Sequence, residues 1–394
     1  MSGRRRAGVE IALALLGKGG AAFGALGFSA LTPFVRNEYD LPTFLVGGIF
    51  AFIFLGALVV IVPAGRITDR FRSGHVLAAA MGLLCLGIGV CALAPNEVVF
   101  FVGVAIAGVG YGTTDPPSNV LVAANVGQGR RGLIMGVSHT GLTLGGLLGG
   151  FVLPSVAEAT SWRWSILVPI AVGLGIAIAS AWVGGPQPET LRRKTSEPVR
   201  PASLLGLGAY GVVMSGMQLT ILAFLAVYLV DDVGMSKRVA GFAVGVTLTG
   251  ATIGRIAWGW FSDRTVRSRV FTLQLVAFGS AVGLALLAGV GDLPLVWPAL
   301  FLLGFCSIGW NGVYIATASE MAPSGSVGSA TATALIFAFA GSVALPPTFG
   351  AIVDGIDSYT VGWLLAAGLV ALLVATLRVL VRRTPAAAKA GHEP

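Results

Sequence analysis

The sequence predicts an all-α membrane protein: 12 transmembrane helices in two pseudo-symmetric six-helix bundles, with both termini cytoplasmic. Three observations predict it. Apolar residues make up 55% of the chain and charged residues 11%, against roughly 25% charged in an ordinary soluble domain. Apolar stretches long enough to cross about 30 Å of hydrocarbon, which takes roughly 20 residues at about 1.5 Å each, recur along the whole chain. The first six stretches are also echoed by the second six.

The spans lie at about 9–35, 43–64, 75–94, 98–123, 133–156, 163–184, 203–230, 239–261, 270–290, 294–319, 328–352 and 360–381. Each must be helical, because lipid offers no partner to a free N–H or C=O. The first follows Arg4-Arg5-Arg6 and imitates a secretory signal, yet it is too long and lacks a small-residue cleavage site. It is a membrane helix, and Lys18 lies inside it. The second ends in Gly65-Arg66-Ile67-Thr68-Asp69-Arg70. Cys85 and Cys91 in the third, with Cys306 in the tenth, show no metal-ligand spacing and read as small hydrophobes. The fourth runs from Gly108-Val109-Gly110 to Asp115-Pro116-Pro117, where the helix ladder must break. The fifth carries His139 and the glycines Gly132, Gly141, Gly145, Gly146, Gly149 and Gly150.

After the sixth span, a polar interval from Gly185 to Pro201 holds four prolines and four basic residues. It divides the chain into an N-terminal six-helix bundle (1–184), a cytoplasmic linker (185–202) and a C-terminal bundle with a short cytoplasmic tail (203–394). Gln218 lies in the seventh span. Arg255 lies in the eighth, which ends in Gly259-Trp260-Phe261-Ser262-Asp263-Arg264. The tenth holds Trp310-Asn311-Gly312-Val313-Tyr314, and Pro346-Pro347 predicts a break or bend in the eleventh. The twelfth ends near Val381, so nothing remains for a sizeable soluble domain.

A net charge of +8 raises the possibility of a nucleic-acid partner, but the placement of the positive charge excludes it. With the N-terminus inside, 18 of the 25 basic residues fall in cytoplasmic segments. Only Arg36, Arg163, Lys237 and Arg238 fall outside, and Lys18, Arg255 and Arg378 lie within spans. The positive-inside rule therefore puts both termini in the cytoplasm of a multi-pass protein, expected in the plasma membrane.

Gly56 to Arg70, GALVVIVPAGRITDR, repeats as Gly250 to Arg264, GATIGRIAWGWFSDR, at an offset of 194 residues. Gly132 and Gly145 repeat as Gly328 and Gly341 at an offset of 196. A nearly constant offset marks duplicated six-helix units. The paired Gly-x-x-x-Asp-Arg loops resemble the cytoplasmic-loop signature of the major facilitator superfamily, and the resemblance extends along nearly the whole chain. It implies two bundles related by an axis along the membrane normal, with a binding site between them near the midplane. It further implies a conformational latch made by Gly65, Asp69 and Arg70 with Gly259, Asp263 and Arg264: the glycine permits close helix approach and the charges pair across the interface. The first copy continues Phe71-Arg72-Ser73-Gly74, without the family's usual Gly-Arg order.

The fifth-span glycines Gly132, Gly141, Gly145, Gly149 and Gly150 resemble the motif of the family's antiporter branches, with Gly146 where that motif has proline. As evidence of antiport they are weak, and close packing at the interface between halves is the favoured account. Val104 stands where proton-linked members often carry an arginine, which excludes proton coupling through that group.

Charges within spans are the sharpest functional signal, since each costs at least about 2.5 to 3.5 kcal/mol at a helix centre. Lys18, Asp115 and His139 fall at similar depth, roughly 9 to 14 Å above the inner boundary. The first and fourth helices of the family line the cavity, so the resemblance pairs Lys18 with Asp115. Other readings stay open: Lys18 snorkelling to the interface, Asp115 satisfying groups freed at the proline break, and His139 as a neutral core residue. Arg255 resembles the anion-binding arginine of monocarboxylate and oxalate transporters, its planar fork suiting a carboxylate; internal pairing or snorkelling is the alternative. Gln218, Trp310, Asn311 and Tyr314 lie on helices that line the family's cavity and suit a partly apolar ligand, or else simply pack.

The expected function is secondary transport of a small organic solute, an organic anion for preference, by alternating access. Drug or metabolite efflux by antiport is the alternative. A non-transporting receptor or membrane enzyme is the third class, but the sequence offers no paired nucleophile and base, no metal cluster and no nucleotide loop. The partners expected are the solute, the lipid bilayer and, through Asp115 and His139, protons as coupling ions. No cofactor, metal or nucleic acid is expected, and the chain is expected to be a monomer.

Overall fold

The computed structural model describes residues 3–125, 131–185, 204–265, 268–289, 296–322 and 327–383. Among them, 12 helical spans are long and apolar enough to cross a membrane. The first consists of α1 (Gly3–Leu26) and α2 (Phe28–Tyr39), followed by α3 (Thr43–Thr68) and α4 (Ser73–Leu93). The fourth is split into α5 (Glu97–Thr113) and α6 (Asp115–Asn125); α7 (Arg131–Ala159) is the fifth, and α8 (Trp162–Ser165) with α9 (Leu167–Val183) the sixth. Then come α10 (Leu205–Asp231), α11 (Lys237–Arg264) and α12 (Arg269–Ala288). The tenth is split into α13 (Val296–Ser307) and α14 (Asn311–Glu320), and α15 (Val327–Ile356) and α16 (Tyr359–Arg383) complete the chain.

The split in the fourth span falls where the sequence requires it. Pro116 and Pro117 occupy the first turn of α6, where a missing N–H needs no helical partner. Thr113 and Thr114 return their hydroxyls to the carbonyls of Val109 and Tyr111, each at 2.7 Å. The eleventh span behaves differently: α15 runs unbroken through Pro346-Pro347. The break in the tenth has no proline. It falls at Ile308-Gly309-Trp310, where Gly309 lies so close to Gly254 of α11 that a Cβ would come within 3.0 Å of the Gly254 carbonyl carbon.

By contacts the chain groups into two compact units, Met1–Arg193 with Leu222–Thr249, and Lys194–Ile221 with Gly250–Pro394. Within the first, α1 packs on α7, α4 on α5 and α9, and α3 on α5. It also takes in the adjoining ends of α10 and α11: Arg36 pairs with Asp231, and Gly150 packs on Gly245. Within the second, α12 packs on α13 and α16, and α14 on α15.

The sequence repeat reappears as repeated packing inside each unit. Gly56 lies against the backbone of Ala105 and Val109, and Gly250 against that of Phe301 and Phe305. Gly145 lies against the carbonyl of Gly19, and Gly341 against that of Val212. In each case a Cβ would collide with backbone, which cannot swing aside as a side chain can.

Candidate functional site

The first unit holds a buried charge. Lys18 is 0% exposed, so its ammonium does not snorkel to the interface. Its Nζ lies 3.1 Å from Asp115 Oδ1 and donates to Asn119 Oδ1 at 2.9 Å. Asp115 and Asn119 are one turn apart on α6 and so share a face. The proline break also makes Asp115 the first residue of α6, where the helix dipole favours a carboxylate. The Asp115 side chain is 40% exposed, so the pair is sealed on the lysine side and open on the aspartate side. Two turns nearer the N-terminus, the buried Glu10 accepts from Asn125 Nδ2 at 2.6 Å and pairs with Arg6 at 3.1 Å. Asn119, Glu10 and Asn125 escaped the sequence reading; their spacing of about one to three helical turns from Lys18 or Asp115 is the signal that finds them.

The second unit holds a neutral counterpart. Gln218 Oε1 accepts from the Trp310 indole N–H at 3.1 Å and from Asn311 Nδ2 at 3.2 Å. Asn311 Nδ2 also reaches the Ile308 carbonyl, at 3.3 Å, across the break in the span. Trp310 and Tyr314 are buried, 0% and 1% exposed. The Trp310 and Tyr314 rings meet edge to face at 5.0 Å, and Tyr210 stacks on Tyr314 at 6.0 Å. Tyr314 donates to the Ala334 carbonyl at 2.8 Å. Trp310 and Tyr314 thus pack beneath Gln218 and Asn311, which are half-buried. Arg255 is half-buried on α11, with its Nε shielded from solvent. His139 and Gly132 lie on the backbone of α7, but the His139 side chain lies outside what is described.

The two loop signatures differ. Asp263 accepts from Arg269 Nη1 at 2.9 Å, Arg269 Nε pairs with Glu320 at 2.5 Å, and Arg264 lies 4.6 Å above the Trp260 ring. Asp69 and Arg70 are exposed, and Asp69 has no ion pair among the described residues. Among the described residues, a Cβ at Gly65 or Gly259 would meet nothing within 4 Å. On α7 the glycines do approach closely: Gly141 and Gly145 lie against α1, Gly149 against Gly27, and Gly150 against Gly245. At the other end of the first unit, Arg163 binds Glu38 at 2.6 Å, the Tyr39 hydroxyl at 2.9 Å and the Ala92 and Ala94 carbonyls. The sequence reading treated Arg163 only as an outside charge.

Twelve apolar spans with charge and amide groups buried among them define an integral, multi-pass membrane protein. The family model described as Major Facilitator Superfamily matches residues 14–346 and 208–394, and the chain belongs to that family. It is 27% identical over 400 residues to the gentisate transporter of Corynebacterium glutamicum, covering 96% of this chain and 88% of that one. It is 26% identical over 370 residues to the hexuronate transporter of Bacillus subtilis, covering 86% of each. Its fold matches the crystal structure of a bacterial homologue of the human lysosomal transporter Spinster, in an inward-facing and occupied conformation. There the TM-score is 0.78 at 14% identity, covering 97% of this chain and 98% of the other.

Proposed function

We propose that this transporter moves a small organic anion across the plasma membrane by alternating access, with residues 1–184 and 203–394 as its two halves and the termini in the cytoplasm. Lys18 and Arg255 supply the positive charge, and Asp115 neutralises Lys18 when no anion is bound. The observation that carries this reading is the ammonium of Lys18, wholly buried and held by Asp115 and Asn119. A buried charge is costly to keep in a membrane helix, which makes a functional use the best account of it. The names of the gentisate and hexuronate transporters point to acids as the cargo of two relatives.

The half-exposed Asp115 supplies the coupling. A proton on its carboxyl removes the counter-charge and releases Lys18 to an entering carboxylate, so proton and anion travel together. The test is uptake of a panel of labelled acids by proteoliposomes holding the purified chain. An inward proton gradient accelerates uptake by the wild type and has no effect on Asp115→Asn. Arg255→Gln abolishes uptake while leaving thermal unfolding unchanged. Unaltered kinetics in Arg255→Gln would remove that residue from the site, and absence of flux for any acid under any gradient would defeat the anion reading.

A further inference from the structure

We infer that Gln218 and Asn311 form a hydroxyl-recognition subsite whose polarity is set by Trp310. The inference deepens the proposed function and rests on its reading of this half as substrate-contacting.

An indole N–H can only donate, so the Gln218 side-chain group facing it must be the carbonyl oxygen. The same oxygen takes the second donor, Asn311 Nδ2. Asn311 is oriented twice over, because its amide nitrogen also faces the Ile308 carbonyl, which can only accept. Neither amide can turn end over end without setting like against like.

What is left over follows directly. Gln218 retains both N–H donors of Nε2, and Asn311 retains the acceptor Oδ1. Among the described residues neither atom has a hydrogen-bond partner, and neither is among the solvent-shielded polar atoms. Beneath them, Trp310 is locked by burial and by its contacts with Tyr210 and Tyr314, so the polarity is held by a rigid support.

A neighbouring donor and acceptor discriminate among ligand groups. A carboxylate can only accept and would face Asn311 Oδ1 with repulsion. An ammonium can only donate and would be repelled by the Gln218 amide. A hydroxyl both accepts and donates, and satisfies the two together. The cargo class that fits this pair is a hydroxylated solute, and with Arg255 of the same unit supplying charge, a hydroxy acid.

The experiment measures binding to the purified full-length chain by calorimetry, using matched probes: 2,5-dihydroxybenzoate against benzoate, gluconate against hexanoate, and the neutral pair glucose against 2-deoxyglucose. The hydroxylated acid should bind about tenfold more tightly, the loss expected when a site's polar groups are left unpaired. Gln218→Leu should cut that preference to under about threefold, with an unchanged unfolding temperature reporting that the variant is folded. Trp310→Phe keeps the ring and removes the N–H that holds Gln218, and should weaken the preference by an intermediate factor. Equal binding of the matched acids, or a preference that survives Gln218→Leu, overturns the subsite while leaving the anion reading intact. Binding of glucose in preference to 2-deoxyglucose, dependent on Gln218 and with no acid bound, defeats the anion reading and supports the subsite. Binding of no probe overturns both.

Discussion

Asp115 in the fourth span and Asn311 in the tenth occupy equivalent places in the repeat, 196 residues apart, and each opens the helix that follows a break. Their chemistry diverges there. Asp115 meets the buried ammonium of Lys18, whereas Asn311 meets the carbonyl of Gln218. At the position matching Lys18 by the 194-residue offset, the second half has Val212, against whose carbonyl Gly341 packs. One half has thus kept a polar position where the other has a packing contact. The duplication preserved the backbone break and let the side chains at it specialise, one pair for charge and one for neutral hydrogen bonding.

The sharpest way to break this comparison is to remove the charge from the half that has it. Lys18→Gln should lower acid uptake at least about a hundredfold, because a buried ammonium and the Asp115 beside it are lost as a unit. Asp115→Asn leaves that ammonium buried without its counter-charge. A fully buried pair broken this way loses about 3 to 5 kcal/mol, and the partial exposure of Asp115 reduces the expected loss of stability to about 2 kcal/mol. Combining Lys18→Met with Asp115→Asn should recover most of it in thermal unfolding. Additive losses would mean that the two residues do not interact.

A smaller effect sharpens the structural side of the repeat. Gly145→Ala and Gly341→Ala each drive a Cβ into a backbone carbonyl of the neighbouring helix, and each should cost about 1 to 3 kcal/mol of stability. Gly65→Ala and Gly259→Ala, with open space around them, should stay within about 0.5 kcal/mol. If the loop glycines are needed in a second conformation, those two variants slow transport without lowering the unfolding temperature. A matching loss of stability at all four positions would remove the distinction.

The sequence was most informative where physics leaves few choices. Twelve spans, the break at Asp115-Pro116-Pro117 and the Lys18–Asp115 pair were legible, because lipid enforces helices, proline removes a donor, and a charge in hydrocarbon needs a partner. The break at Gly309 was not, since no proline marks it and the glycine's approach to Gly254, far away in sequence, appears only in the fold. At Pro346-Pro347 there is no break: neighbouring helices can hold a proline-containing helix continuous, and α15 runs through both prolines. The orientation of Gln218 was out of reach, because an amide acquires its meaning only from the partner that turns it.

The smallest expected effect concerns the ends of the second and eighth spans. Asp69 and Asp263 both stand at the C-terminal end of a helix, where the dipole opposes a negative charge. Asp263 is offset by Arg269, which also binds Glu320; the first half has the exposed His75 in the place of Arg269, 194 residues earlier. Because the Asp263 side chain is 65% exposed, its pair should contribute less than about 1 kcal/mol. Asp263→Asn should therefore lower stability slightly at low salt and less at high salt, as screening weakens the pair. Asp69→Asn has no such pair to lose and should leave stability unchanged or slightly improved at either salt. If Asp69 serves as a latch only in another conformation, its variant changes turnover alone, and equal salt-dependent losses in both variants would show instead that the two ends are electrostatically alike.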